Sequence, residues 1–193
     1  MKPFESLLAE VRACEICRDF LPLGPRPVVQ LDPSSRLLIV GQAPGSKVHA
    51  SGVPFDDASG NRLRNWLGIS REDFYDPKKV AILPMGFCYP GKGSSGDLPP
   101  RTECAPAWRE PLLECLDAIE LTIVIGQYAM AYHLPGPSRS VTEQVQSWAQ
   151  YWPNLVPLPH PSPRNNRWLV RNPWFEIELL PKLRERVSEL LAK

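Results

Sequence analysis

Arg36–Gly60 reads RLLIVGQAPGSKVHASGVPFDDASG, and this stretch decides the fold. Leu37–Val40 is a short apolar run rich in branched side chains, the pattern of a strand buried on both faces of a parallel sheet. It stops at Gly41-Gln42-Ala43-Pro44-Gly45. Two glycines and a proline this close together make a tight loop at the strand's carboxyl end, where open α/β sheets bind ligands. Taken alone, GxxxG is most simply a strand-to-loop turn. Here Pro54-Phe55-Asp56-Asp57-Ala58-Ser59-Gly60 follows, setting an aromatic ring beside two carboxylates just before a helix expected over Asn61–Leu67.

Phe4, Leu7, Leu8 and Val11 at helical spacing predict a helix within Met1–Cys17. Phe20–Pro33 carries four prolines and reads as an extended connection. His49–Asp57 reads as a loop. Val80–Met85 is a second apolar run, and Gly86–Arg101 a long loop rich in Gly, Ser and Pro. Thr102–Leu116 reads as a helix with Thr102 as a candidate cap. Leu121–Ile125 is a third strand, with a helix over Tyr128–His133 and helical character over Val141–Tyr151. Leu155–Leu158 is a fourth strand and leads into His160-Pro161-Ser162-Pro163-Arg164-Asn165. Trp174–Ala192 is a terminal helix in which Pro181 marks a kink or restart. Four apolar strands alternating with helices predict one α/β domain over residues 1–193, with a parallel sheet covered on both faces. The strand carboxyl ends then share one rim, which carries Gln42, the loop after Met85, Gly126-Gln127 and His160.

The 193 residues carry a formal charge of +1, so a nucleic-acid partner must be held by a local basic patch. No apolar run is long enough to span a membrane. Glu5, Glu10 and Arg12 interrupt any signal-peptide core, so a cytoplasmic location is expected, where structural disulfides are rare. The five cysteines then need another account. Cys14 and Cys17 form a C-x-x-C, and Cys88 and Cys104 flank a Pro/Gly loop able to fold back over the N-terminal helix. Four thiolates suit zinc or an iron-sulfur cluster; buried free thiols and a redox dithiol are the alternatives. Cys115, in the apolar stretch Pro111–Leu121, reads as core.

Together these pieces resemble the uracil-DNA glycosylase superfamily, in particular its iron-sulfur classes known as families 4 and 5. GQAPG (Gly41–Gly45) is similar to the first motif of that superfamily, GEAPG in family 4 and GQDPY in family 1. Pro54-Phe55 followed by Asp57–Gly60 looks like the family 5 segment. HPSPRN (His160–Asn165) looks like the second motif, and the cysteine spacing resembles the family 4 cluster ligands. The resemblance implies a three-layer α/β/α fold with a four-stranded parallel sheet, acting as a monomer. It also implies a structural [4Fe-4S] cluster on Cys14, Cys17, Cys88 and Cys104, with zinc the lesser alternative.

The resemblance further implies roles residue by residue. His160 matches the histidine that hydrogen-bonds the base at O2, and Phe55 the ring on which the flipped base stacks. Gly41, Gln42 and Ala43 match the loop whose backbone faces the base, with the Gln42 amide nearest. Asp57 matches the aspartate that orients water or stabilises the cationic sugar; a helix N-cap is its structural alternative. Ser162, Pro163, Arg164, Asn165 and Asn166 match the loop that enters the minor groove. Arg167 and Arg171 join Arg164 in a basic cluster beside the motif, placed to contact phosphate, with a solvated loop as the alternative. The partner is then DNA carrying a deaminated base. Two departures bear on specificity. The family 4 glutamate is Gln42 here. The asparagine that reads the uracil edge falls near Pro84, which offers neither a side-chain hydrogen bond nor a backbone N–H. Uracil is the first expected substrate and hypoxanthine or xanthine the second; a member that binds DNA or a nucleotide without cleavage is the rival. Trp168, Trp174 and Phe175 read as packing for the terminal helix.

Overall fold

The computed structural model describes residues 3–94, 96–137 and 139–192. Strands β1 (Leu37–Val40), β2 (Val80–Ile82), β3 (Leu121–Ile125) and β4 (Leu155–Leu158) form one sheet in the order β2-β1-β3-β4. All pairings are parallel: Leu37 lies between Val80 and Leu121, and Ile125 faces Leu158. The helices are α1 (Phe4–Arg12), α2 (Ser46–Ser51), α3 (Ala58–Leu67), α4 (Arg71–Tyr75), α5 (Cys104–Leu113), α6 (Gly126–His133), α7 (Val141–Gln146), α8 (Asn166–Arg171) and α9 (Leu180–Leu191). They cover both faces, giving the expected three-layer α/β/α fold. Leu37, Ile39, Val40, Leu121, Ile123 and Val124 are wholly buried. Burying each such side chain contributes about 1.5–3 kcal/mol.

Several boundaries differ from the sequence expectation, each for a local reason. Met1 lies outside the described residues, and α1 stops at Arg12, where the chain turns to carry Cys14 and Cys17 inward. The segment read as a loop from His49 begins inside α2, a helix too short to show periodicity; Gly52, at φ 75°, terminates it. Helix α3 starts earlier than expected because Asp57 caps it. The unanticipated α4 is capped by Ser70, whose hydroxyl accepts the Asp73 N–H at 3.0 Å. Thr102 does not cap α5: Glu103 holds that position without a side-chain cap, and the Thr102 hydroxyl donates to its carboxylate instead. Helix α7 opens with a Ser140/Glu143 capping box and gives way to a 3₁₀ turn at Trp148–Gln150.

Residue 166, expected in a groove-entering loop, instead begins α8. The terminal helix restarts as Pro181 foretells. Phe175–Leu179 is a π-helical turn leading directly into α9, in which Pro181 has no N–H to give its preceding turn. Trp168, Trp174 and Phe175 are packing, their rings 5.5–6.3 Å apart, with Trp66 edge-on to Phe175 at 4.9 Å. Cys115 is half-buried at the margin of the core, its thiol donating to the Pro111 carbonyl at 3.3 Å. Among the described residues, no helix is long and apolar enough to cross a membrane.

Candidate active site

The carboxyl ends of β1, β2 and β4 open onto a cavity of about 480 Å³. Gly41–Gly45 lines it from β1, Ile82 and Pro84 from β2, and His160, Ser162, Arg164 and Asn165 from the segment after β4. Phe55, Asp57 and Ser59 enter from the start of α3. Gly126 and Gln127, on the same rim, do not line it; neither do Pro163 and Arg167. Gly41, Ile82 and Pro84 are buried at its floor, whereas Asp97 and Arg164 are exposed at its mouth.

Phe55 is held in a conformation its side chain disfavours. Its φ is 55°, a left-handed backbone that costs a non-glycine residue on the order of 1–2 kcal/mol. The packing around it enforces this state. The Phe55 ring lies beside Gly41, 3.5 Å from where a Cβ there would sit, and edge-on to Phe74 at 6.1 Å. Its carbonyl folds onto the first turn of α3 so closely that a Cβ on Gly60 would sit 1.8 Å from the oxygen. The glycine of DASG is therefore required by the ring's placement.

His160 is fixed by its own turn. The Ser162 backbone N–H donates to Nδ1 at 3.2 Å, so that nitrogen carries the lone pair and Nε2 the proton. Asn165 Nδ2 donates to the His160 carbonyl at 2.7 Å, and Arg62 Nη1 reaches over from α3 to the Ser162 carbonyl at 3.1 Å. Burial holds the His160 pKa below its ordinary value, outweighing the nearby negative charges of Asp57 and Asp97. The ring is therefore neutral near pH 7, with Nε2–H as its donor.

Asp57 is the N-cap that the sequence allowed, and it also borders the cavity. Its Oδ1 accepts the Gly60 N–H at 2.9 Å at the start of α3. Gln42 turns its side chain outward, Nε2 donating to the Leu98 carbonyl at 2.9 Å, while its carbonyl accepts the Gly86 N–H at 2.9 Å.

Behind Pro84 lies a buried cation that the sequence did not announce. Arg109 is 0% exposed, and its Nη1 donates to the carbonyls of Leu83 (3.1 Å) and Pro84 (3.0 Å). Its Nη2 meets His133 Nε2 at 2.7 Å and its guanidinium sits 5.0 Å over the Tyr132 ring. Burial lowers the Arg109 pKa to about 10. Burial, with the Arg109 charge adding to it, lowers that of His133 to about 4. The Pro84 carbonyl accepts from Arg109, and proline brings neither an N–H nor a side-chain hydrogen-bonding group to that wall. No local pattern in sequence marks Arg109, because its partners come from the segment after β2 and from α6.

The four cysteines singled out meet elsewhere. Cys14, Cys17, Cys88 and Cys104 line one small cavity between the end of α1, the start of the long loop and the start of α5. Trp108 Nε1–H donates to Cys14 Sγ at 3.2 Å and the Phe87 N–H to Cys104 Sγ at 3.4 Å. Burial pushes the Cys88 thiol up to about 11 and Cys104 to about 12. Among the described residues, no three His, Cys, Asp or Glu side chains draw together as a ready single-ion site.

Fold and cavity define a class: a parallel α/β/α domain with an aromatic shelf and a neutral histidine at the strand ends. Comparison with protein-family models matches the uracil DNA glycosylase superfamily over residues 28–184. The chain belongs to that superfamily, whose membership supports a DNA glycosylase-like role.

Proposed function

We propose that the protein is a DNA repair glycosylase of the iron-sulfur family 4/5 type, with both centres in one domain. It would extrude a deaminated base, uracil first, into the cavity between Phe55 and His160 and hydrolyse its N-glycosidic bond. The observation that carries this reading is the His160 geometry. A neutral imidazole whose Nδ1 is occupied by its own turn has only Nε2–H to offer a ligand.

As the bond breaks, its electron pair leaves with the base and negative charge gathers on the base O2. A fixed neutral donor strengthens its hydrogen bond as that charge grows, and such donors contribute about 2.7–4 kcal/mol. Phe55 stacks on the extruded base, worth about 1–3 kcal/mol. The Gly41–Ala43 backbone bounds the same pocket. Asp57 supplies negative charge near the sugar and the imidazole while capping α3. Ser162, Pro163, Arg164, Asn165 and Arg167 serve the DNA backbone and the gap left by the base.

Cys14, Cys17, Cys88 and Cys104 would hold the iron-sulfur cluster. Support comes from their shared cavity and from the N–H donors already directed at two sulfurs, a common device around cluster thiolates. The cluster would supply a structural cross-link between α1 and the Gly86–Arg101 loop. Hypoxanthine or xanthine is the second substrate reading, favoured by the Pro84 wall, where proline supplies no side-chain donor and acceptor pair to tell one base edge from another.

The test is base release from oligonucleotides carrying uracil, hypoxanthine or xanthine, single- and double-stranded. Release that collapses in His160→Ala supports the reading. DNA binding without release from any substrate rejects it.

A further inference from the structure

We propose that Asp97 is a catalytic residue of this reaction: the carboxylate that faces the cationic sugar and receives the proton of the attacking water. The inference rests on the glycosylase reading and adds a residue from the loop between Cys88 and Cys104.

Departure of a base leaves positive charge on C1′, which needs a facing carboxylate and a proton acceptor for water. Positions 42 and 43 hold glutamine and alanine, so the first motif supplies no acid. Among the described residues, the carboxylates lining the cavity are Asp57 and Asp97. Asp57 already spends one oxygen on the cap of α3. Asp97 lies at the exposed mouth, above the buried floor of Gly41, Ile82 and Pro84. A base resting on that floor puts its sugar at the mouth.

The loop is held in place for this. The Gln42 side chain donates to the Leu98 carbonyl at 2.9 Å, the Leu98 N–H returns to Gly91 at 2.9 Å, and the Gly93 N–H donates to the Gly96 carbonyl at 2.6 Å. Asp97 Oδ2 lies 3.5 Å from where a Cβ on Gly45 would sit, ordinary contact distance, so the carboxylate rests against the GQAPG loop. Its charge also reaches His160. Gln42, standing where an acid is absent, positions the loop that brings one in. In the reaction the C1′–N electron pair leaves with the base, whose anion is protonated by solvent. Water oxygen bonds to C1′, and its proton passes to Asp97 and then to solvent.

The experiment is single-turnover base release by the full chain and by Asp97→Asn, Asp97→Ala and Asp97→Glu, with oligonucleotide affinity measured for each. Asp97→Asn and Asp97→Ala are expected to lose about 100-fold in rate without weaker DNA binding, since a negative charge near phosphate is removed. Added formate is expected to restore part of the Asp97→Ala rate, and Asp97→Glu to retain more activity than either. Asp97→Asn within about threefold of the parent overturns the proposal, as does an Asp97→Ala loss that formate leaves unchanged and Asp97→Glu shares. A parent that releases no base fails the glycosylase reading in the control lane and takes this proposal with it.

Discussion

His133 is expected to make the fold acid-sensitive in a definable window. Arg109 has only donors to offer, so His133 Nε2 must accept, which requires a neutral ring. Protonation replaces that bond with two cations in contact in a buried site. Burial and the Arg109 charge place the folded pKa at about 4, against an ordinary 6.5. Because the folded value lies below the unfolded one, the unfolded chain binds more protons between them, and stability falls as pH falls. The His133 contribution is intact above about pH 6.5 and is lost on the way down to about pH 4. At roughly 1.4 kcal/mol per pKa unit, the loss is about 2 kcal/mol at pH 5 and about 3 kcal/mol at pH 4. Asp32, Asp73 and Glu143, whose pKa values are lowered by hydrogen bonds, also lose stability in acid. His133→Gln keeps those carboxylates and an acceptor for Arg109, so their contribution cancels in the difference. The assay is urea unfolding of parent and His133→Gln at intervals from pH 7.5 to 4. The stability difference should shift toward the variant by about 3 kcal/mol across the window. A difference that stays constant to within about 0.5 kcal/mol refutes the buried Arg109–His133 pairing as described.

Gly60→Ala places a methyl group 1.8 Å from the Phe55 carbonyl oxygen, so the Asp57 cap or the left-handed Phe55 backbone must give way; a thermal melt should show a loss on the order of 2 kcal/mol, and base release should fall further than stability alone explains. Cys88→Ala is expected to deplete purified protein of iron and to make Gly86–Arg101 the first site of limited proteolysis; unchanged iron content rejects Cys88 as a ligand. Arg167→Ala should weaken DNA binding about equally across sequences and lower the slope of log affinity against log salt by about one; an unchanged slope removes Arg167 from the phosphate contacts.

What could be read from sequence follows the range of the forces involved. β3 and β4 match their predicted limits because a parallel strand covered on both faces reads as a nearly continuous apolar run, interrupted in β3 by Thr122, a signal contained in the strand itself. GQAPG and HPSPRN lie directly after such strands, so placing β1 and β4 also placed Gly41 and His160 on one rim. Short helices escaped. Ser46–Ser51 is too brief for periodicity, although the Ser70/Asp73 cap of α4 was legible as Ser followed three residues on by Asp. Thr102 was a plausible cap by type, but the helix begins one residue further on. Arg109, Arg62 and Asp97 were not legible as site residues, because each reaches its place by tertiary contact. Arg109 bonds the carbonyls just after β2, Arg62 bridges α3 to the turn after His160, and Asp97 sits in a loop tied to the distant Gln42 side chain.

The most direct measurement is single-turnover release of uracil from an oligonucleotide by the parent and by His160→Ala, at matched DNA occupancy. The role given to His160 requires release by the parent and a loss of about 100- to 1000-fold in the variant, with DNA affinity nearly unchanged. Release that persists in His160→Ala, or a parent that binds the oligonucleotide and leaves every deaminated base in place, contradicts it.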